Sequence, residues 1–164
     1  MNSDISRISP IQDQEIFEIS ELAKSLAVSA GELVESGRIA GFGAVSTKSS
    51  DVDVVTEVDM ASEKFIIDTL RQQRPNDGLV GEEGSSWVGS TGVEWFIDPI
   101  DGTVNFMYGL PNYSVSIGVS INGLPTVGAV FNPQTRELFH AVLGSVAFLN
   151  DDRITVREDA LLSQ

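Results

Sequence analysis

Two short segments of this chain set carboxylates where carboxylates are expensive. One is Val80-Gly81-Glu82-Glu83-Gly84, and the other is Trp95-Phe96-Ile97-Asp98-Pro99-Ile100-Asp101-Gly102-Thr103. Asp98 directly follows three large apolar residues, which places it at the end of a buried strand. Pro99 is expected to stop that strand and Asp101-Gly102 to turn the chain. Carboxylates buried without partners are strongly destabilising, so a cluster of them persists only with protons or cations between them. Between Lys64 and Arg136 the only basic residues are Arg71 and Arg74, which leaves a divalent metal as the counter-charge. The Asp98-Pro-Ile-Asp101 spacing gathers two carboxylates and the Ile100 carbonyl around one small volume. These are hard oxygen donors, suited to Mg²⁺, Mn²⁺ or Ca²⁺ rather than Zn²⁺ or copper. The alternating acids and distal Glu of an EF-hand are absent. Spacing alone leaves open a plain acidic turn in which Asp101-Gly102 is only a hairpin signal.

Thr103-Val104-Asn105-Phe106 follows the acids and reads as the opening of a helical turn. Its first N–H groups, at Gly102, Thr103 and Val104, would then face the metals and favour a phosphate oxygen. Metals flanked by anion-binding amides are the working parts of a phosphoryl-transfer site.

The elements that must position these groups follow from periodicity. Ile16, Ile19, Leu22, Leu26, Ala30 and Leu33 recur at helical spacing, predicting a first helix from Ile11 to Glu35, with Pro10 at its start and Gly37 as its stop. Gly41 to Lys48 and Val52 to Thr56 read as two strands joined by a turn at Ser49-Ser50-Asp51. Asp59 is placed to cap a second helix that buries Phe65, Ile66 and Leu70 and ends at Pro75-Asn76-Asp77-Gly78. Beyond it lie candidate strands at Leu79-Val80, Trp95 to Ile97, Tyr113 to Ile121, Val127 to Phe131, Glu137 to Val142 and Ile154 to Val156. Asn122-Gly123, Asn132-Pro133 and Asn150-Asp151 supply turns between them. Two helices packed on a mainly antiparallel sheet make an α+β domain. His140, the sole histidine, lies in an apolar strand, where packing is its expected role, as it is for Trp87 and Trp95.

Composition sets the outer limits. The 164 residues suffice for one domain with a hydrophobic core. The formal charge of −14 makes nucleic acid or an anionic membrane an unsuitable partner. There is no cysteine, which removes disulfides and thiolate metal sites and suits a reducing cytoplasm. The first ten residues lack the basic flank and apolar core of a signal peptide.

The string WFIDPIDGTVNF, with GEE upstream, LPNYSVSIG downstream and KSSDVDVVTEVD at positions 48 to 59, resembles the inositol monophosphatase family. The resemblance runs from the first helix to ITV near residue 156 and looks closest to bacterial enzymes acting on inositol 1-phosphate. It implies the N-terminal half of a layered αβαβα sugar-phosphatase fold. It further implies that Glu82, Asp98 and the Ile100 carbonyl ligate a first Mg²⁺, and that Asp98 bridges to a second Mg²⁺ also held by Asp101. Glu82 would touch a third ion and help orient the attacking water. Thr103, hydrogen-bonded to Asp59, would assist that water, while the amides from Asp101 through Gly102 to Thr103 hold phosphate and Lys48 adds a supporting charge. Phosphorus would be attacked directly by water, without a covalent phospho-enzyme. Glu83 is read as facing solvent, outside the ligand set.

On this resemblance, residues 1–164 are one metal- and phosphate-binding domain, and the family's second domain, with a further metal-ligating aspartate and most contacts to the inositol hydroxyls, is expected beyond Gln164. The substrate is expected to be a small phosphorylated polyol or sugar, and the full-length protein a homodimer. Rival substrates on the same fold are fructose 1,6-bisphosphate, histidinol phosphate and a 3′-phosphonucleotide. A non-catalytic metal-binding fragment is the reading of a different class.

Overall fold

The computed structural model describes residues 13–43, 51–82 and 84–156. Two long helices, α1 (Asp13–Gly43) and α2 (Asp51–Gln73), lead into β1 (Gly78–Gly81), β2 (Ser86–Trp87) and β3 (Val93–Asp101). A short helix α3 (Thr103–Met107) follows, then the meander β4 (Ser114–Ile121), β5 (Leu124–Asn132), β6 (Glu137–Val142), β7 (Ala147–Leu149) and β8 (Asp152–Ile154). All strands join one sheet in the order β2-β1-β3-β4-β5-β6-β7-β8. Every pairing is antiparallel except that of β1 with β3, which run parallel. The α+β class is therefore as the sequence indicated. Among the described residues no helix is long and apolar enough to cross a membrane.

The core lies between the helices and one face of the sheet. Trp95 and Ile97 of β3, Val115, Ile117 and Val119 of β4, and Val127, Ala129 and Phe131 of β5 point inward, against Ile19, Leu26 and Val34 of α1 and Ile66, Ile67 and Leu70 of α2. The inward stripe of α1 is rich in small residues, with Ala23, Ala27 and Ala30 fully buried, and this lets the helix sit low on the sheet. Gly31 continues the trend, because a Cβ there would stand 2.5 Å from a ring carbon of Phe131.

Several expectations about the first sixty residues fail. Gly37 does not stop the first helix, which runs on to Gly43. A Cβ at Gly37 would lie 2.7 Å from a methyl of Val58, so the glycine serves the close crossing of α1 and α2. The strand expected from Gly41 is helical through Gly43, and its remainder to Lys48 lies outside the described residues. The strand expected at Val52 to Thr56 is part of α2. Asp59 is consequently interior to α2 and buried, and is not its cap. Its helix begins eight residues earlier than the apolar spacing implied, because the β-branched run at Val52, Val54 and Val55 has the composition of a strand and such a preference is a weak guide.

The later elements agree closely. Asn122 and Gly123 both adopt positive φ (54° and 80°), the two-residue hairpin geometry their types favour. Asn150 at φ 52° turns β7 into β8, and β8 ends at Ile154 instead of beginning there. The turn after Asn132 is longer than the expected pair and spans residues 133–136, with Arg136 at φ 59°. The two-residue β2 and three-residue β7 are too short for periodicity to reveal.

Asp77, expected only as a turn residue, is the hub that docks this turn to the sheet. It is 3% exposed and accepts hydrogen bonds from Arg74 Nε (2.7 Å), Thr91 Oγ1 (2.7 Å) and Trp95 Nε1 (3.0 Å). Its carbonyl accepts from Trp87 Nε1 at 2.8 Å, and Arg71 stacks over the Trp87 ring at 4.9 Å. Arg74 reaches back to Glu15 of α1 at 2.9 Å. Asp77→Ala leaves the buried Trp95 indole N–H unpaired and Arg74 with Glu15 as its remaining carboxylate, so urea unfolding is expected to show a loss of about 3 kcal/mol. A variant within experimental error of the parent would remove Asp77 from this role.

Candidate metal and phosphate site

The parallel pairing of β1 with β3 sets the site. Gly81 lies opposite Ile97, so Glu82 and Asp98, each one residue further on, emerge side by side. The Glu82 N–H donates to the Ile97 carbonyl at 3.2 Å, which fixes that alignment. In β3 the residues Val93, Trp95 and Ile97 face the helices, so Phe96 and Asp98 occupy the opposite, open face.

Two residues three apart on a regular strand point to opposite faces. Asp98 and Asp101 do not. Asp98 pairs with Ser116 and Asp101 with Ser114, so three steps on β3 match two on β4. The extra residue is a bulge at Pro99-Ile100, where proline's missing N–H is least costly. Pro99 was expected to end the strand; it bends it instead, and β3 continues to Asp101. As a result both aspartates share the open face, in the row that Ser114 and Ser116 define.

Glu82 and Asp98 stand side by side at the strand ends, and the Asp98 carboxyl is pushed up to about 7. Burial is the leading cause, followed by the hydrogen bond to Glu82 and the negative charges of Glu82 and Asp101. The Ile100 N–H, donated to Asp98 Oδ1 at 3.1 Å, opposes the rise. Crowded acids of this kind offer a hard cation the charge and the oxygen donors it requires. Among the described residues no three His, Cys, Asp or Glu side chains converge closely enough to enclose an ion by themselves. The arrangement is a pair with Asp101 beside it.

Thr103 opens α3 and donates its hydroxyl to the Ile100 carbonyl at 3.0 Å. Gly102, at φ 87°, makes the turn from β3 into α3. A Cβ there would also lie 2.9 Å from the Asn112 carbonyl oxygen, so both conformation and space call for glycine. Asp59 is buried on α2, which packs against α3 and β3. Lys48 and Glu83 lie outside the described residues. A cavity of about 400 Å³, lined by Val80, Glu82, Phe96, Asp98 and Ser116, opens beside the acid pair. Ser116 was not singled out from sequence; only the register of β3 on β4 brings it to the site.

A larger cleft of about 530 Å³ lies between α1 and β6, lined in part by Lys24, Arg136 and His140. None of the sequence-derived site residues reaches it, and its cations already pair with Glu21 and Glu32. His140 stacks parallel to Phe148, with ring centroids 5.2 Å apart, and donates to the Asn150 carbonyl at 3.0 Å, which is packing.

The inositol monophosphatase family model matches residues 15–164. The chain is 40% identical over 155 residues to inositol-1-monophosphatase SuhB of Mycobacterium tuberculosis, covering 86% of this chain and 53% of that protein. It is 41% identical over 120 residues to the fructose-1,6-bisphosphatase/inositol-1-monophosphatase of Thermotoga maritima, covering 73% and 46%. The crystal structure of inositol monophosphatase II from Staphylococcus aureus superposes with a TM-score of 0.77 at 32% identity, over 88% of this chain and 54% of that one. The chain thus spans about half the length of the curated relatives it matches. On the family model and on these identities together, the chain belongs to the inositol monophosphatase family.

Proposed function

We propose that this chain is the metal- and phosphate-binding domain of a Mg²⁺-dependent phosphomonoesterase that hydrolyses inositol 1-phosphate. The observation that carries the reading is the convergence of Glu82 and Asp98 at adjacent strand ends, with Asp101 on the same face. In charge and donor type these residues fit a hard divalent cation. Glu82, Asp98, Asp101 and the Ile100 carbonyl would hold Mg²⁺, two to three ions in the complete enzyme. Bound Mg²⁺ supplies charge stabilisation to phosphoryl oxygens and acidifies water. The chain's own groups bind and orient. The amides from Asp101 to Thr103 hold the phosphate, Glu82 and Thr103 direct the attacking water, and Asp59 supports Thr103 from the helix layer. Lys48 adds positive charge. The Thr103 hydroxyl has one proton, now given to the Ile100 carbonyl, so a cation that took this carbonyl would leave the hydroxyl free to turn.

The same reading makes the complete protein a cytoplasmic homodimer acting on a small phosphorylated polyol, with no nucleic acid or membrane partner. The further half that the relatives carry would cover the open face of the sheet, where Phe96, Val130 and Phe139 are exposed. The double name of the Thermotoga maritima relative supports fructose 1,6-bisphosphate as the second reading. Values of kcat/KM for the two substrates, measured on the full-length protein, decide between them.

Asp98→Asn and Asp101→Asn each preserve volume and remove a charge. Calorimetry should show Mg²⁺ and Mn²⁺ affinity lowered at least about tenfold in each. Parental affinity in both variants would make the segment an acidic turn.

The raised Asp98 carboxyl gives a signed pH dependence. Its folded value of about 7 exceeds the ordinary 3.8. Between those values the folded chain keeps a proton that the unfolded chain has released, so stability falls as pH rises from about 4 to 7 and is level above. Thermal melts in chelator should show this loss in the parent and a smaller one in Asp98→Asn. A cation competes with the same proton, so Mg²⁺ affinity should strengthen over that window. Parallel pH profiles for parent and variant would exclude a perturbed Asp98.

Residues 1–164 alone should turn over inositol 1-phosphate at least about a hundredfold more slowly than the same residues joined to the remaining half of the Mycobacterium tuberculosis relative, because substrate orientation would be poor. Equal rates at saturating Mg²⁺ would show that these residues form a complete active site.

A further inference from the structure

Behind the acid pair, on the helix side of the sheet, α2 carries a buried polar stripe at Asp59, Ser62 and Glu63 before its apolar stripe begins at Ile66. Glu63 is 7% exposed, and its Oε1 has no hydrogen-bond partner among the described residues. The oxygen is packed against Gly81, the residue immediately before Glu82. A Cβ at Gly81 would overlap Glu63 Oε1 and would also stand 3.6 Å from the Glu63 carboxyl carbon and 3.1 Å from the Ser85 carbonyl oxygen. Gly81 does not adopt a positive φ, so its backbone conformation does not call for glycine. The carboxylate does.

Nothing in the main chain at this corner rewards the arrangement. The Gly81 N–H donates to the Ser85 carbonyl at 2.7 Å and the Glu82 N–H to the Ile97 carbonyl at 3.2 Å, so both donors are taken. The neighbouring Lys64 is exposed and pairs with Asp68. Ser62 Oγ is buried and likewise has no partner among the described residues. A buried carboxylate in such a position opposes folding, yet a glycine is spent to make room for it. A counter-charge one residue away, at Glu82, accounts for both facts.

We propose that Glu63 is a positioning residue for the cation site, a buried negative charge beneath the Gly81-Glu82 corner that strengthens divalent-cation binding at Glu82 and Asp98. The proposal rests on the metal reading above. Outer groups of this kind typically change metal affinity by about 10–100-fold. They act by orienting the ligand segment and by adding field from behind it.

The test is Glu63→Gln in the 164-residue chain, titrated with Mg²⁺ and Mn²⁺ by calorimetry and melted in chelator. The glutamine keeps the volume and removes the charge. Kd is expected to rise about tenfold, while the metal-free melting temperature stays level or rises because a buried charge has gone. Glu63→Asp, which retains the charge, should recover most of the affinity. A packing role predicts unchanged Kd, and a structural hydrogen-bond role predicts a lower melting temperature with unchanged Kd; either result overturns the proposal. Equal losses of affinity in Glu63→Gln and Glu63→Asp overturn it as well. A parent chain that binds neither ion ends the metal reading itself. A parent that binds, beside a Glu63→Gln variant that binds equally well, ends only the role of Glu63.

Discussion

Carboxylates on one face of a sheet, at adjacent strand ends, repel one another unless a counter-charge stands between them. The architecture around Glu82, Asp98 and Asp101 enforces that conflict. A parallel strand pair is needed to bring Glu82 level with Asp98, because antiparallel neighbours would set the end of one strand against the start of the other. A bulge is needed to bring Asp101 to the same face, because its spacing from Asp98 alone would send it into the helix layer. Burial and the neighbouring carboxyls of Glu82 and Asp101 push Asp98 up to about 7.

The rest of the fold holds this arrangement still. The turn from α2 to β1 determines where β1 starts and hence which residue meets Ile97. Asp77 pins that turn to Trp95 of β3 and to Thr91 just before it, so strand register and helix placement are set by the same buried carboxylate. The two long helices reach the sheet closely because small residues stand where larger ones would collide. Gly31 lies against Phe131, and Gly37 lies against Val58. Gln134 bridges Glu35 of α1 and the Tyr113 hydroxyl (3.3 and 2.9 Å), tying α1 to the residue just before β4. Two acids are thus placed in opposite settings. Asp77 is satisfied by its hydrogen-bond donors, whereas the Asp98 carboxyl is pushed up by burial and by its acidic neighbours.

How much of this the sequence disclosed depends on how far each feature reaches along the chain. Local signals were legible: the Asn122-Gly123 hairpin, the meander strands, and an acid following Trp95-Phe96-Ile97. The site residues themselves stood out because carboxylates in apolar surroundings are anomalous wherever they occur. Features that depend on contact between distant segments were hidden. Gly37 and a helix stop look alike until Val58 is seen against it. Val52, Val54 and Val55 have strand propensity yet lie in α2, because such a preference is a weak guide by itself. Asp77 resembled any turn aspartate, since its partners Thr91 and Trp95 lie 14 and 18 positions on. The bulge at Pro99 could be read as a stop, because a missing N–H ends a ladder or bends it, and the partner strand decides which.

The site's placement on the open face has a physical consequence for its chemistry. The desolvation acting on Asp98 comes from the sheet side, and the cavity beside it is bounded by Phe96 and Val80, both partly exposed. Solvent reaches the open side of the acids past Phe96 and Val80 and screens the repulsion among them. Covering Phe96, Val130 and Phe139 with further protein would remove that screening. The same charges would then interact in a lower dielectric, where a given separation carries several times the energy. Such a cover raises the cost of leaving the acids ionised and strengthens the attraction of any cation placed between them.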